Sequence, residues 1–186
     1  MNPTLSFQAT LSGPTTGAAP MIHYYAPYGD HVTGHVLVDF PGGAYGNRAE
    51  HEGPLTARWF ASRGIATFVV DYRTAADDAK HPAMLEDGLA AIQTVRERAD
   101  EFGYAPDKLG VLGYSAGGHL AAHCLTAYGD YAEAVSLRPD FGILAYPVIH
   151  TLPPYGHENS MKNLLRTENP SETERTGVAV LSRVNA

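Results

Sequence analysis

A serine lies between two glycines in the pentapeptide GYSAG at residues 113–117. The preceding residues 109–112 are apolar and residues 116–127 favour a helix, so a sharp turn from strand to helix is expected at Ser115. Such a turn strains the central residue, and the flanking glycines leave room for crossing backbones. Its hydroxyl would lie above the sheet edge, at a helix N-terminus that favours a negative oxygen. We therefore predict a nucleophile here rather than a plain small-residue turn.

A second glycine-rich segment, PGGAY at residues 41–45, follows another apolar run at residues 35–40. A loop of this kind can aim backbone N–H groups at the point that the N–H after the nucleophile also faces. We predict oxyanion donors at the N–H groups of Gly43, Ala44 and Ala116, each contributing about 2.7–4 kcal/mol by analogy with other such sites. An ordinary turn is the alternative interpretation of this segment.

Three tyrosines are expected near strand ends at the same edge of the sheet: Tyr45, Tyr114 and Tyr146. Tyrosine rings at such an edge could pack against a sugar or an acyl chain. Plain packing against the rest of the protein is the competing interpretation. We keep all three as candidates for the substrate pocket.

The elements that must position these residues follow from the hydrophobic pattern. The sequence predicts strands at residues 35–40, 65–72, 108–113 and 141–149, and helices at residues 53–63, from Pro82 to about residue 101, and at 116–127. This alternation implies right-handed crossovers and a parallel sheet. Residues 1–34 predict turns and short antiparallel strands, and a capped helix is expected from Ser171. The predicted fold is α/β, a doubly wound, mostly parallel sheet, in one domain spanning residues 1–186.

Composition and charge exclude several classes of protein. The formal net charge of -7 disfavours nucleic acid as a partner, because phosphate binding requires clustered Lys and Arg. The single Cys124 cannot close an intrachain disulfide, and residues 1–20 lack the basic start and apolar stretch of a secretory signal. The strongest apolar run, residues 65–70, is far shorter than the ~20 residues of a membrane span. We therefore expect a cytoplasmic protein without nucleic-acid or membrane partners.

Five blocks occur in order at regular spacing between residues 36 and 169: FPGGAY, VVDYR, HPAMLEDGLAAI, KLGVLGYSAGGHLAAH and ILAYPVI. Through them the chain resembles the α/β-hydrolases of the acetylxylan-esterase-like and BD-FAE-like group. The resemblance implies a Ser-Asp-His triad, no cofactor, and hydrolysis of acetyl or other short acyl esters, often on carbohydrates. It also implies that Asp87 is a structural acid rather than a catalytic one.

The triad acid and histidine of that group follow two further strands, which this sequence lacks. We therefore expect the chain to be C-terminally incomplete. Within it, the weak candidates for the general base are His150, at the end of the predicted strand 141–149, and His157, in a flexible polar stretch. Without an oriented base the serine is a weak nucleophile, although an oxyanion hole and binding alone can leave roughly 10³–10⁴-fold catalysis over water.

Two acidic residues could replace the missing triad acid by their order in the chain, Asp140 and Glu158. Asp140 precedes the predicted strand of nine residues, which at about 3.3 Å per residue places it roughly 25–30 Å from the carboxyl edge. It is therefore expected at the wrong edge of the sheet.

Other titratable residues have plainer interpretations. His119 and His123 have a spacing that could hold a metal, but no carboxylate partner is evident, so we expect packing and no metal site. His51 is expected in a solvated segment, with the pocket rim as the alternative, His81 in a turn before Pro82, and Cys124 in the core.

Three functions remain open at this point. The first is hydrolysis of a small-molecule or carbohydrate ester without metal or other cofactor. The second is a serine peptidase of the same fold, which would normally need a propeller or lid domain. The third is a catalytically incomplete fragment or binding module, favoured by the missing histidine. In any of these, the strand at residues 141–149 would expose an edge through which the chain could self-associate.

Overall fold

The computed structural model describes residues 3–9, 19–29, 31–131 and 136–184, which form six strands and seven α-helices. The strands are β1 Leu5–Gln8, β2 Met21–Tyr25, β3 Val36–Phe40, β4 Ala66–Asp71, β5 Leu109–Tyr114 and β6 Phe141–Ala145. The helices are α1 Pro54–Ala61, α2 Ala83–Glu97, α3 Ala99–Phe102, α4 Ser115–Ala127, α5 Glu158–Leu165, α6 Glu172–Gly177 and α7 Leu181–Val184.

All six strands form one mixed sheet in the order β1-β2-β4-β3-β5-β6. The first two strands are antiparallel to their neighbours, whereas β4, β3, β5 and β6 are parallel. Helices cover both faces, as β4 shows: Phe68 and Val70 belong to the core that contains α2 and α4, and Val69 packs with Ala57 and Ala61 of α1. The predicted α/β fold with a mostly parallel sheet is confirmed.

The helix predicted from Pro82 to about residue 101 is divided in two. Its apolar stripe is buried as expected, but α2 ends at Glu97 because Arg98 adopts φ -97° and ψ 15°, outside the helical region. The short α3 then ends at Gly103, whose φ of +72° is the left-handed conformation that commonly ends helices.

The last strand is shorter than predicted. It ends at Ala145 because Tyr146 adopts φ +35° and Pro147, which follows, has no N–H to donate to a ladder. The prediction that His150 ends this strand is therefore wrong, since it lies five residues further along the chain. Ile143 and Leu144 are 39% and 38% exposed. Within the described residues β6 pairs with β5 alone, so its other edge is open.

Two features of the C-terminal region follow from helix capping. The predicted helix after Ser171 is α6, with a capping box between Ser171 and Glu174. The helix α5 was not predicted, and His157 is its N-cap through Nδ1, which accepts the Ser160 N–H at 3.3 Å. The expectation of a flexible stretch at His157 is therefore wrong. In the described residues, no helix combines the length and apolar character that a bilayer span requires.

Candidate active site

Ser115 is the first residue of α4 and follows β5 directly, in the left-handed conformation with φ +50°. A Cβ at Gly113 would lie 2.2 Å from the carbonyl oxygen of Gly117. One at Gly117 would lie 2.0 Å from the carbonyl oxygen of Phe40. Backbones therefore cross at both glycines, as the spacing predicted, and Ser115 remains partly exposed.

The glycine-rich loop at residues 41–45 lies against this turn. A Cβ at Gly42 would be 2.8 Å from the carbonyl oxygen of Tyr114 and 3.2 Å from the Ser115 Cβ. Gly43 and Ala44 adopt φ values of +126° and +52°. Within the described part of the chain, neither of their N–H groups donates a hydrogen bond. Both groups are therefore without a partner among the described residues.

Ala116, the third residue predicted as an oxyanion donor, is buried at the start of α4. The first N–H groups of a helix have no partner four residues earlier, so this group is free of the helix ladder. The turn thus brings the Ala116 N–H and the loop at residues 41–45 close to the side chain of Ser115.

No general base contacts the serine in the described part of the chain. The Ser115 hydroxyl has no hydrogen bond to the residues described, whereas its carbonyl accepts the Val148 N–H at 3.0 Å. His150 is exposed, with its ring 5.7 Å from that of Tyr155. His157 is exposed as well and uses Nδ1 for the cap of α5. Neither candidate histidine is paired with the nucleophile in this arrangement.

The two acidic candidates are also engaged elsewhere. Asp140 accepts the N–H of Leu109 at 2.9 Å, at the start of β5 and so at the opposite end from Ser115. Asp140 lies at the edge of the sheet that the sequence predicted. Because β6 is shorter than predicted, Asp140 is nearer to the carboxyl edge than expected. Glu158 forms an ion pair with Arg175, with 2.6 Å between Oε2 and Nη2.

Glu52 is a buried carboxylate at this site that the sequence did not reveal. Its Oε2 accepts the Gly42 N–H at 2.7 Å, and its Oε1 accepts the hydroxyl of Tyr146. This Oε2 lies 2.6 Å from the place a Gly42 Cβ would take, close to the Ser115 Cβ. The general expectation that a buried loop N–H needs an acceptor could have pointed to such a carboxylate. The side chain therefore holds the loop and a pocket tyrosine together.

A second buried carboxyl group lies near Glu52. Asp39 in β3 is fully buried, and both its oxygens are without a hydrogen-bond partner among the described residues. Burial, followed by the nearby Glu52 charge, raises the pKa of Asp39 well above its usual range. Its surroundings therefore disfavour the charged form of Asp39.

The three pocket tyrosines divide into two groups. Tyr45 is only 1% exposed, because its ring packs in the core against Tyr72 and His119. Its prediction as a pocket residue is wrong. The rings of Tyr114 and Tyr146 lie 5.9 Å apart, and Tyr146 is 65% exposed. These two remain candidates for ligand contact.

A cavity of about 370 Å³ lies beside Tyr114, at the surface of α1. It is lined by Leu55, Thr56, Trp59, Phe60 and Tyr114. The hydroxyls of Thr56 and Tyr114 are 3.0 Å apart, and Trp59 is half exposed. The cavity is therefore mostly apolar with one hydroxyl pair, and large enough for a short acyl or aryl group.

The histidines of α4 are buried and neutral. Burial lowers the pKa of His119 to about 4 and that of His123 to about 2, and the ring of His123 stacks on His81 at 5.4 Å. Unfolded histidines titrate near 6.5, so they take up protons first and folding stability falls as the pH drops below that value. No group of potential metal ligands occurs within the residues described.

Asp87 joins the loop after β4 to α2. Its oxygens accept the Arg73 backbone N–H at 2.7 Å and the guanidinium at 2.7 and 3.0 Å. The side chain of Asp87 is fully buried, and its bonds to Arg73 hold the loop after β4 against α2. This geometry agrees with the structural acid that the resemblance implied. His51, by contrast, has a side chain that is 74% exposed.

Three features together define an α/β-hydrolase fold: the strand order, the helices on both faces of the sheet, and the serine at a strand-to-helix turn. Solved esterases share it. The acetyl ester-xyloside bifunctional hydrolase from Caldicellulosiruptor lactoaceticus matches with a TM-score of 0.79 and 34% identity, over 90% of this chain and 62% of that one. Propionate-bound Est2, an esterase from Thermogutta terrifontis, matches with a TM-score of 0.69 and 25% identity, over 90% and 63% of the two chains.

Residues 22–136 match the family model BD-FAE, and the chain belongs to this family. Among curated relatives, it is 32% identical over 169 residues to an acetylxylan esterase of Xylanibacter ruminicola, covering 90% of this chain and 33% of that protein. It is 34% identical over 169 residues to endo-1,4-beta-xylanase B of Butyrivibrio fibrisolvens, covering 86% and 26%. The resemblance predicted from the five blocks is confirmed, and the chain spans about a quarter to a third of these relatives' lengths.

Proposed function

We propose that the protein hydrolyses short-chain acyl esters through a covalent serine intermediate. Ser115 attacks the ester carbonyl, and the N–H groups of Gly43, Ala44 and Ala116 bind the oxygen that becomes negative. The observation that carries this proposal is the contact between the serine turn and a loop in which the Gly43 and Ala44 N–H groups have no partner among the described residues. The ester C–O bond breaks, the alcohol leaves with a proton, and water then hydrolyses the acyl-serine, which releases the carboxylic acid and restores Ser115.

The substrate class follows from the relatives and from the surroundings of Ser115. Relatives named as an acetylxylan esterase and an acetyl ester-xyloside hydrolase favour acetyl groups on carbohydrates. The cavity beside Tyr114 is large enough for a short acyl chain, and the exposed ring of Tyr146 offers a face on which a sugar could pack. We therefore propose an acetylated small molecule or carbohydrate as the substrate.

The general base is the open part of this mechanism. A serine hydroxyl needs an adjacent base to become a strong nucleophile, and none contacts Ser115 among the described residues. His150 and His157 are the candidates within this chain, and His157 would have to give up its cap of α5. The resemblance implies a histidine that follows two further strands, and such a residue would be the other source. A chain without any base would be the catalytically incomplete alternative.

A fluorophosphonate probe tests the nucleophile directly. We expect one covalent adduct, located by peptide mass mapping on Ser115, because the unoccupied N–H groups can also stabilise the phosphonyl oxygen. Ser182→Ala, which removes a surface hydroxyl that donates to the Ala179 carbonyl, should label like the wild type. Absence of an adduct on the wild-type chain would mean that Ser115 is not activated and would favour a binding module.

We further propose that the open edge of β6 pairs with a second copy of the chain. Unpaired strand edges with exposed apolar side chains favour such pairing. Light scattering after gel filtration should show a mass that rises with protein concentration, and Ile143→Lys should abolish this rise. Val184→Lys, at an exposed residue of α7, is the matched control. A monomeric wild-type mass at every concentration would contradict the proposal.

A further inference from the structure

A chain of three buried groups connects the glycine-rich loop to α4 and to the C-terminal region. The Tyr45 hydroxyl is 2.7 Å from Nδ1 of His119, and Nε2 of the same ring is 2.8 Å from the carbonyl oxygen of Val178. A carbonyl can only accept, so Nε2 carries the proton and Nδ1 is the acceptor. Tyr45 is therefore the donor, and burial raises the pKa of its hydroxyl, which keeps it protonated.

Both ends of the Tyr45–His119 hydrogen bond are adjacent to the site. Tyr45 directly follows Ala44, one of the proposed oxyanion donors. His119 lies four residues after Ser115 on α4, and residues four apart share one face of a helix. The bond thus fixes the loop to the helix that begins with the nucleophile.

The loop needs such a restraint because its conformation is intrinsically unfavourable. Ala44 and Tyr45 have φ values of +52° and +58°, a region that residues with a Cβ rarely occupy. Such angles persist only where the surroundings impose them. The Tyr45 side chain is 1% exposed and its hydroxyl bonds to His119, so it is one anchor of the loop, beside the Asn163 amide that donates to the Ala44 carbonyl at 2.9 Å.

We propose that Tyr45 and His119 are positioning residues that hold the N–H groups of Gly43 and Ala44 toward Ser115. Val178 takes part in the same arrangement. Its carbonyl accepts the proton on Nε2 of His119, so Nδ1 of that ring is left to accept from Tyr45. This inference rests on the proposed esterase function. It adds a role for residues that do not touch the substrate.

Tyr45→Phe is the sharpest variant, because it keeps the ring and removes the donor. We expect kcat for p-nitrophenyl acetate to fall about 10- to 100-fold, somewhat less than the loss of a whole oxyanion donor, with KM nearly unchanged. Tyr104→Phe is the matched control, since this buried hydroxyl donates to the Val95 carbonyl, away from the site. A kcat for Tyr45→Phe equal to that of the control would overturn the proposal.

Two substitutions of His119 form a second test. His119→Gln keeps an acceptor and a donor on one side chain, whereas His119→Leu keeps neither. We expect kcat to decrease in the order wild type, His119→Gln, His119→Leu. Equal kcat values for the two variants would contradict a hydrogen-bonding role.

Amide hydrogen exchange separates this proposal from the proposed function. Tyr45→Phe should speed the exchange of the Gly46 and Ala75 amides, which donate to the Gly43 and Tyr45 carbonyls, relative to Tyr104→Phe, whether or not the chain turns over ester. Wild-type turnover equal to that of Ser115→Ala would end the proposed function alone, and the exchange rates would then decide the positioning role. Unchanged exchange in Tyr45→Phe would reject that role.

Discussion

Where a general base reaches Ser115, Ser115→Ala is expected to lower kcat for p-nitrophenyl acetate by about 10³-fold or more, because it removes the only covalent route of the proposed mechanism. The fold should survive the change. The serine hydroxyl makes no hydrogen bond within the described residues, and alanine meets the same backbone strain at φ +50°. Steady-state hydrolysis rates, compared with thermal unfolding of both proteins, measure the effect.

The matched control is Ser182→Ala, which removes an exposed hydroxyl on α7 and should leave kcat unchanged. Equal rates for wild type and Ser115→Ala would remove the esterase hypothesis for this chain. A low wild-type rate that still depends on Ser115 would instead support the proposal and identify the base as the missing part.

The sequence alone was sufficient for the serine turn because its determinants are local. Gly113 and Gly117 flank Ser115 at the spacing that crossing backbones demand, and the contacts bear this out. The parallel sheet was predictable for a related reason, since strands and helices alternate along the chain. The β6 boundary was not, because it depends on the φ value of one residue, Tyr146, before Pro147.

The environment of the loop at residues 41–45 depends on residues distant in sequence. Tyr45 meets His119 across 74 positions, and Glu52 meets Tyr146 across 94. A tyrosine beside a glycine-rich loop suggested a pocket, but its ring lies in the core against Tyr72 and His119 instead. Sequence patterns therefore predict the backbone of this site better than they predict the positions of its side chains.

Gly117→Ala is expected to destabilise the fold by about 3 kcal/mol or more, because backbone atoms occupy the place of the new methyl group. A Cβ there would lie 2.0 Å from the carbonyl oxygen of Phe40 and 2.6 Å from that of Pro41. These atoms end β3 and begin the glycine-rich loop, so they cannot yield as a flexible side chain would. Alanine is favoured over glycine within a helix by only about 0.5–1 kcal/mol, which does not offset the clash.

Urea unfolding of Gly117→Ala and of Gly177→Ala measures this effect against a matched control. Gly177 lies in α6 with no atom within 4 Å of an added Cβ, so its substitution should leave stability unchanged or raise it by about 0.5–1 kcal/mol. Equal midpoints for the two variants would mean that the backbones do not cross closely at Gly117.

If Gly117→Ala folds with reduced stability, relief of the clash must separate the loop from α4. Ester hydrolysis should then fall by more than the folded fraction does, because the oxyanion donors lie on the loop and the nucleophile begins α4.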